Sequence, residues 1–394
     1  MSKIFVMDSE QGRIPLNVVR SLGRKGINSK VGGSMSVTTP IFSTYCESKF
    51  TYPSIANQPD EFRKFITNFI QEEKPEVIFP LMNDSVEFFS KHKEEFSKFT
   101  KIPLADYDIM SVALDKEKTL RVAQELGIPC PKSFFPKDET SLTNIMDQLQ
   151  FPVIIKPKKA YGSSGVHLCK NEKELIKFFR KVSSIHGAPL VQEYIPPGGD
   201  ALGVSCLFNY SSDARAIFSH KRLREYPQTG GPSTLRESIS SPKAEEFALK
   251  LLKKMNWFGL AMVEFKVDPR DNIPKLMEIN PRFWGSISLP MYAGVDFPYL
   301  LYQLVTQGDV EEVKNYKLGI KSRWVGGDFL YLLTCNHKLK FFFEFIKFGQ
   351  KDTFCEDFAK DDPLPALSRL LSIFYVFNRK IRGGLFKSYY KNKN

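Results

Sequence analysis

The stretch KLMEINPRFWGS, residues 275–286, decides how this chain is read. It starts as a strand-like apolar run, yet it sets Glu278, Asn280 and Arg282 along that run, with a proline between the last two. Residues two apart in a strand share one face of a sheet, so Glu278 and Asn280 stand together. Just upstream, LAMVEFKVDP (260–269) is a second apolar run, interrupted by Glu264. The short DPRDN connection predicts that the two runs pair antiparallel. Two carboxylates and a carboxamide oxygen on one face form an all-oxygen cluster that suits Mg²⁺. Pairing of the acids with Lys or Arg is the other reading, and spacing leaves both open.

The chain has 394 residues, 42% of them hydrophobic and 25% charged, as in a globular protein of two or three domains. Its formal charge of +12 is uneven, because seven Lys/Arg and no acid lie between Ala366 and Asn394. That tail reads as a solvated end, an anionic-membrane contact or a nucleic-acid contact. No recognised nucleic-acid module accompanies it, so nucleic acid is not an expected partner. Six cysteines are scattered without CxxC or Cys/His ligand spacing, and MSKIFVMDSE is not a secretory apolar stretch. Reduced thiols in a cytoplasmic protein are expected. No run approaches the roughly 20 apolar residues that span a bilayer.

The first hundred residues alternate. KIFVMD, INSKVGG and EVIFPL read as strands, and PLNVVRSLGRKG and PDEFRKFITNFIQEEK as helices, the latter apolar at 62, 65, 66, 69 and 70. Such alternation predicts a parallel sheet with right-handed crossovers, an α/β domain over residues 1–110. No GxGxxG follows the first strand. From about residue 111 the texture becomes α+β. DKEKTLRVAQELGIPCP is a helix, FPVIIKPKKAYGSSGVHLCK a strand–loop–strand hairpin, and PLVQEYIP, GVSCLFNY and ARAIFSHKRL are strands before a helix at 243–255. After about 315 the sequence turns aromatic and basic, and apolar residues at 367, 370, 371, 374 and 377 fit one helix face.

Three loops could carry chemistry. Gly162, Ser163, Ser164 and Gly165 form a turn rich in backbone N–H groups, just after Lys156, Lys158 and Lys159. Such a loop can take phosphate oxygens, and an ordinary turn is the alternative. Glu193, Tyr194 and Ile195 leave a strand with backbone groups free for an adenine edge, and Asp200 could accept from ribose hydroxyls. Lys221, Arg222, Arg224 and Arg236 make a cation-rich segment around Gly230-Gly231. There Arg222 or Arg236 could hold a carboxylate or phosphate, or the segment could be a solvated hairpin. Asp8 and Asp84 follow apolar strands, where α/β sheets place ligands, and N-capping explains Asp84 as well. His167 and His220 lie in strand contexts.

Taken in order, Lys116, Lys156, GSSG, VQEYI, Glu264 and MEINPR resemble the ATP-grasp superfamily over roughly residues 1–310. Within it the basic stretch 219–238 resembles predicted carboxylate–amine ligases of the carbamoyl-phosphate-synthase-like kind. The resemblance implies α/β plus α+β architecture: a pre-grasp α/β domain over 1–110, an ATP-grasp domain over 111–314 and a basic helical extension over 315–394. The grasp domain would divide into 111–190, with the glycine-rich flap, and 191–314, with the magnesium site. By that likeness Lys116 and Lys156 face ATP, Gly162, Ser163, Ser164 and Gly165 cover its phosphates, Glu193, Tyr194 and Ile195 hold adenine, and Asp200 holds ribose. Glu264, Glu278 and Asn280 would bind Mg²⁺, or Mn²⁺ in its place, with Arg282 near the reacting phosphate and Arg222 and Arg236 at the substrate. The implied reaction joins a small carboxylate to an amine through an acyl phosphate, and dimers are common among similar enzymes. A carboxylase-type enzyme using bicarbonate, or a non-catalytic ATP-binding protein at a membrane surface, are the alternatives.

Overall fold

The opening alternation folds as a parallel sheet. In the computed structural model, which describes residues 4–159, 164–228 and 230–369, strands β1 (Ile4–Val6), β2 (Ser29–Gly33), β3 (Cys46–Thr51) and β4 (Val77–Phe79) lie in the order β3-β2-β1-β4. All three pairings are parallel. Strand β1, inside the sheet, and strand β4, at its edge, are both buried along their whole length. The helix Pro59–Glu73 turns Phe62, Ile66 and Ile70 inward, the i, i+4, i+8 spacing of one helix face.

Two further sheets follow. Strands β5 (Ser133–Phe134), β6 (Val153–Lys156), β7 (His167–Cys169) and β8 (Leu190–Glu193) form an antiparallel sheet in the order β5-β8-β6-β7. The helix Glu172–His186 covers this sheet with Leu175, Phe179 and Val182. The larger sheet has the order β13-β12-β9-β10-β11-β14-β15. Its strands are β9 (Ala201–Phe208), β10 (Ala214–Glu225), β11 (Ser233–Ile239), β12 (Gly259–Asp268), β13 (Ile273–Asn280), β14 (Lys321–Arg323) and β15 (Thr353–Cys355).

The last two strands differ from the expected all-helical extension. Helices are present at Val325–Thr334 and Lys338–Phe345, but β14 and β15 also continue the large sheet past β11. The physical reason is the open edge of β11, whose backbone groups need partners. Past β15, Asp361 and Asp362 reach back to the first helix, Arg13–Gly23. Asp362 accepts from Arg20 at 2.8 Å and Asp361 from Arg24 at 2.7 Å. The expected helix through 370–377 lies outside the described residues.

The hydrophobic interior is partitioned. Two cores are shared between the parallel sheet and the large sheet, one joining Phe5 and Ile78 to Val204 and Phe265, the other joining Val6 and Phe79 to Phe218 and Trp284. A third, around Val153, Leu175 and Val191, belongs to the small sheet alone.

Candidate active site

The site begins with β12 and β13, which pair antiparallel with Glu264 directly opposite Glu278 and Met262 opposite Asn280. Like charges facing across a sheet repel unless cations intervene. Both acids have one. Glu264 accepts from Arg222 at 2.5 Å and from the Asn280 side-chain amide at 2.9 Å. Glu278 lies 2.9 Å from the Lys116 ammonium. Burial pushes the Glu264 carboxyl above the usual range, with Arg222 opposing it. Burial would raise Glu278 too, but Lys116 and Lys156 outweigh it and hold that carboxyl below its usual value.

Lys116 reaches Glu278 because its helix, Lys116–Glu125, is capped by Asp115, whose carboxylate accepts from the backbone of Glu117 at 2.9 Å and Lys118 at 3.2 Å. Lys156 ends β6 and is 6% exposed, and among the described residues no carboxylate pairs with it. Burial, then the neighbouring Lys116, pushes its ammonium down to about 8. Glu278 and Glu264 favour its charged form from beyond ion-pair distance, but burial and Lys116 outweigh them.

Arg282 sits where Pro281 ends β13. It donates to the Asn280 side-chain oxygen at 3.2 Å, to the Phe283 carbonyl at 2.7 Å, and to the side chain of Asn83 from the parallel-sheet domain. Asn280 is thus fixed at both ends, its amide nitrogen to Glu264 and its oxygen to Arg282.

The loops singled out in the sequence are held by contacts of their own. Gly162 and Ser163 lie outside the described residues, while Ser164 and Gly165 form a turn. Gly165 has φ +70°, and a Cβ there would lie 2.7 Å from Pro157, so glycine is required. Glu193 accepts from the Lys132 backbone at 3.0 Å and from Arg270 at 2.6 Å, which fixes the end of β8. The Ile195 carbonyl accepts from Lys266 at 2.9 Å, and the same ammonium lies 5.6 Å from the centre of the Tyr194 ring. Asp200 is exposed, and its carbonyl accepts from Val267 at 2.8 Å.

The basic segment is not a solvated hairpin. Arg222 and Arg236 face each other across β10 and β11. Arg222 is taken by Glu264 and by Glu225 at 3.3 Å. Arg236 is 1% exposed and pairs with Glu356, while donating to the Ser233 carbonyl at 3.1 Å. An open fork at Arg236 is therefore replaced here by an internal ion pair. Glu356 also takes Arg13 at 3.4 Å, and the Arg13 guanidinium stacks 4.0 Å from the Trp324 ring centre. A Cβ on Gly285 would come 3.3 Å from Arg13, so the glycine keeps this corner open. Next to it, the Ser286 hydroxyl lies 3.3 Å from the His220 ring. Burial, then Arg222 and Arg236, pushes that imidazole down to about 3, so it is neutral at pH 7.

Other polar residues prove structural. Asp8 accepts from the backbone of Leu81 and Met82, each at 2.9 Å, tying β1 to the helix Asn83–Lys91. His167 stacks on Phe178 at 4.1 Å.

The profile of the ATP-grasp domain matches residues 113–286, the interval that holds Lys116, Lys156, both acids and Arg282. A D-alanine–D-alanine ligase of Carboxydothermus hydrogenoformans is 31% identical over 220 residues, half of this chain and 70% of that protein. The chain belongs to the ATP-grasp family. A D-aspartate ligase of Enterococcus faecium is 26% identical over 214 residues, 50% of each chain, so this chain spans about half the length of that relative. The ATP-grasp fold is also shared with a biotin carboxylase from Campylobacter jejuni, at a TM-score of 0.68 and 17% identity, over 81% of this chain and 74% of that one.

Proposed function

We propose that this ATP-grasp protein is an ATP- and Mg²⁺-dependent ligase that joins a small carboxylate to an amine. The observation that carries the reading is the opposed pair Glu264 and Glu278 with Asn280 beside it, ringed by Lys116, Lys156, Arg222 and Arg282. The donor set fits Mg²⁺, or Mn²⁺ in its place, which takes one or two carboxylates and completes its shell with phosphate oxygens. The ion would neutralise charge on the phosphate oxygens as one is transferred.

The chain's own residues supply the rest. Lys156 and Lys116 bring positive charge to the phosphates, and among the described residues no carboxylate lies within ion-pair distance of the buried Lys156. The Ser164–Gly165 turn covers them with backbone, and the segment Glu193–Ile195, stapled by Lys266 and Arg270, presents its backbone to the adenine with Asp200 beyond it at the ribose. The γ-phosphoryl group passes to a carboxylate oxygen of the acid and ADP leaves. The amine then attacks the acyl carbon, the acyl C–O bond breaks with its electron pair going to phosphate, and the proton lost by the amine nitrogen leaves with that phosphate. Arg282, held by Asn83 and Asn280, steadies the charge at the reacting end. Arg222 keeps Glu264 in place, and Arg236 shapes the substrate corner through Glu356 and Arg13. The reading extends to a cytoplasmic site of action and to a homodimer.

A screen for ADP release over amino acids, dipeptides and sugar acids with amine acceptors, followed by mass spectrometry of the product, tests it. An amide product formed with one ADP per bond is expected. The biotin-carboxylase likeness favours one second reading, a carboxylase. ADP release driven by bicarbonate alone, with no acid–amine pair active, would establish that reading instead.

A further inference from the structure

The helix Lys338–Phe345 carries apolar residues on two faces. One face is inward: Phe341 is 7% exposed, packs on Tyr331 at 4.8 Å and lies under the Arg224 guanidinium at 4.3 Å. The Phe345 ring lies 5.1 Å from Arg323. The outward face should then be polar. Instead Leu339, Phe342, Phe343 and Ile346 are 74%, 44%, 56% and 47% exposed, at the i, i+3, i+4, i+7 spacing of a single stripe. Phe348 extends it, 58% exposed. The exposed lysines Lys338, Lys340 and Lys347 are interleaved with it, and the one acid between them, Glu344, leans 3.5 Å from Arg224.

We propose that this face docks on the surface of an anionic lipid bilayer. The stripe supplies an apolar insertion and the lysines a cationic rim, the two signals that together give stable interfacial binding. Among the described residues no helix is long and apolar enough to cross a membrane, so the contact is with the surface. Charge decides against the other occupants. A second copy would bring two sets of lysines together around an apolar contact. Residues 379–394 carry six Lys and Arg and no acid, so that part of the tail shares the sign of the rim and adds to the attraction for anionic lipid. A protein partner fits poorly, because protein interfaces favour Arg and disfavour Lys, and the stretch 336–351 has four Lys and no Arg. The inference is independent of the proposed reaction.

Flotation of the full chain with vesicles tests it. The protein should float with phosphatidylglycerol-rich vesicles and stay behind with phosphatidylcholine alone. Lys338→Gln/Lys340→Gln/Lys347→Gln should weaken binding about a hundredfold, roughly fivefold per lysine. Leu339→Ser/Phe342→Ser/Phe343→Ser should abolish it while the thermal melt stays at the wild-type value. Where the serine variant does not keep that melt, Phe343→Trp gives a second reading, with a blue shift of its emission on phosphatidylglycerol vesicles. No flotation, equal flotation on both lipids, full flotation of both triple variants or an unshifted Trp emission would each overturn the proposal. So would a dimer in light scattering without vesicles that the serine variant dissolves, which would assign the face to a second copy.

Discussion

Glu264 and Glu278 face each other across β12 and β13, yet each is held by a cation from a different part of the fold. Arg222, on the large sheet, takes Glu264, and Lys116, at the start of a separate helix, takes Glu278. The two carboxyls are shifted in opposite directions, Glu264 upward and Glu278 downward. Glu278→Gln or Asn280→Ala should lower acid-dependent ADP release by about a hundredfold or more, the scale of a lost charge-stabilising group. Circular dichroism should remain that of the folded protein. Turnover that survives both changes would remove these residues from the site.

Lys156 makes a prediction of the opposite kind. Its ammonium is depressed from an ordinary 10.5 to about 8 by burial and Lys116, so the folded state carries a penalty at pH 7. Unfolding relieves that penalty. A shift of this size corresponds to about 3 kcal/mol. Below pH 8 both states are protonated and the penalty is complete, and it fades as pH rises towards 10.5. Lys156→Met should therefore stabilise the protein in urea melts at pH 7, stabilise it less at pH 9.5, and abolish ADP release.

Arg20 and Asp362 should show the cost of breaking a buried pair. Asp362 is fully buried, takes Arg20 at 2.8 Å and also accepts from Ser43 at 2.8 Å and the Thr44 backbone at 2.9 Å. Asp362→Ala leaves Arg20 buried and unpaired, which costs about 3–5 kcal/mol. Thermal and urea melts should both register the loss. Asp361→Ala, whose partner Arg24 is a third exposed, should cost under about 1 kcal/mol.

Asn83 accepts a hydrogen bond from Arg282 and reaches the site through it. Asn83→Ala should lower kcat about tenfold through loss of positioning while leaving the KM for ATP unchanged. A parallel change in KM would mean that Asn83 contacts the nucleotide itself.

Much of the architecture was legible because it follows local periodicity. The buried run of β4, the helix Pro59–Glu73 and the antiparallel pairing of β12 with β13 follow from short-range pattern, although the register shift between Glu264 and Phe265 does not. The gathering of Glu264, Glu278 and Asn280 on one face was legible as well. What stayed hidden depends on partners far along the chain. Arg13 and Glu356 are 343 residues apart, Arg282 and Asn83 199, and Lys266 and Ile195 71. Nothing local marks Glu356 as the counter-charge of Arg236, and three-residue strands such as β14 and β15 are too short to show alternation. The exposed stripe on the helix Lys338–Phe345 was visible as aromatic density, but its outward direction needed the packing of Phe341.

The division of the interior into shared and private cores sets how the molecule can open. The parallel sheet and the large sheet are fused by two cores and laced again by Asp361 and Asp362, so they behave as one anvil. The small sheet rests on its own core, and it carries Lys156 at the end of its interior strand β6. A rotation of that one leaf would carry Lys156 away from Glu278 while the ion pairs Glu264–Arg222 and Glu278–Lys116, made by residues outside the small sheet, stay in place. In the proposed reaction the positive charge that meets the phosphates would then be completed by one moving part, with the ion pairs of both carboxylates made elsewhere.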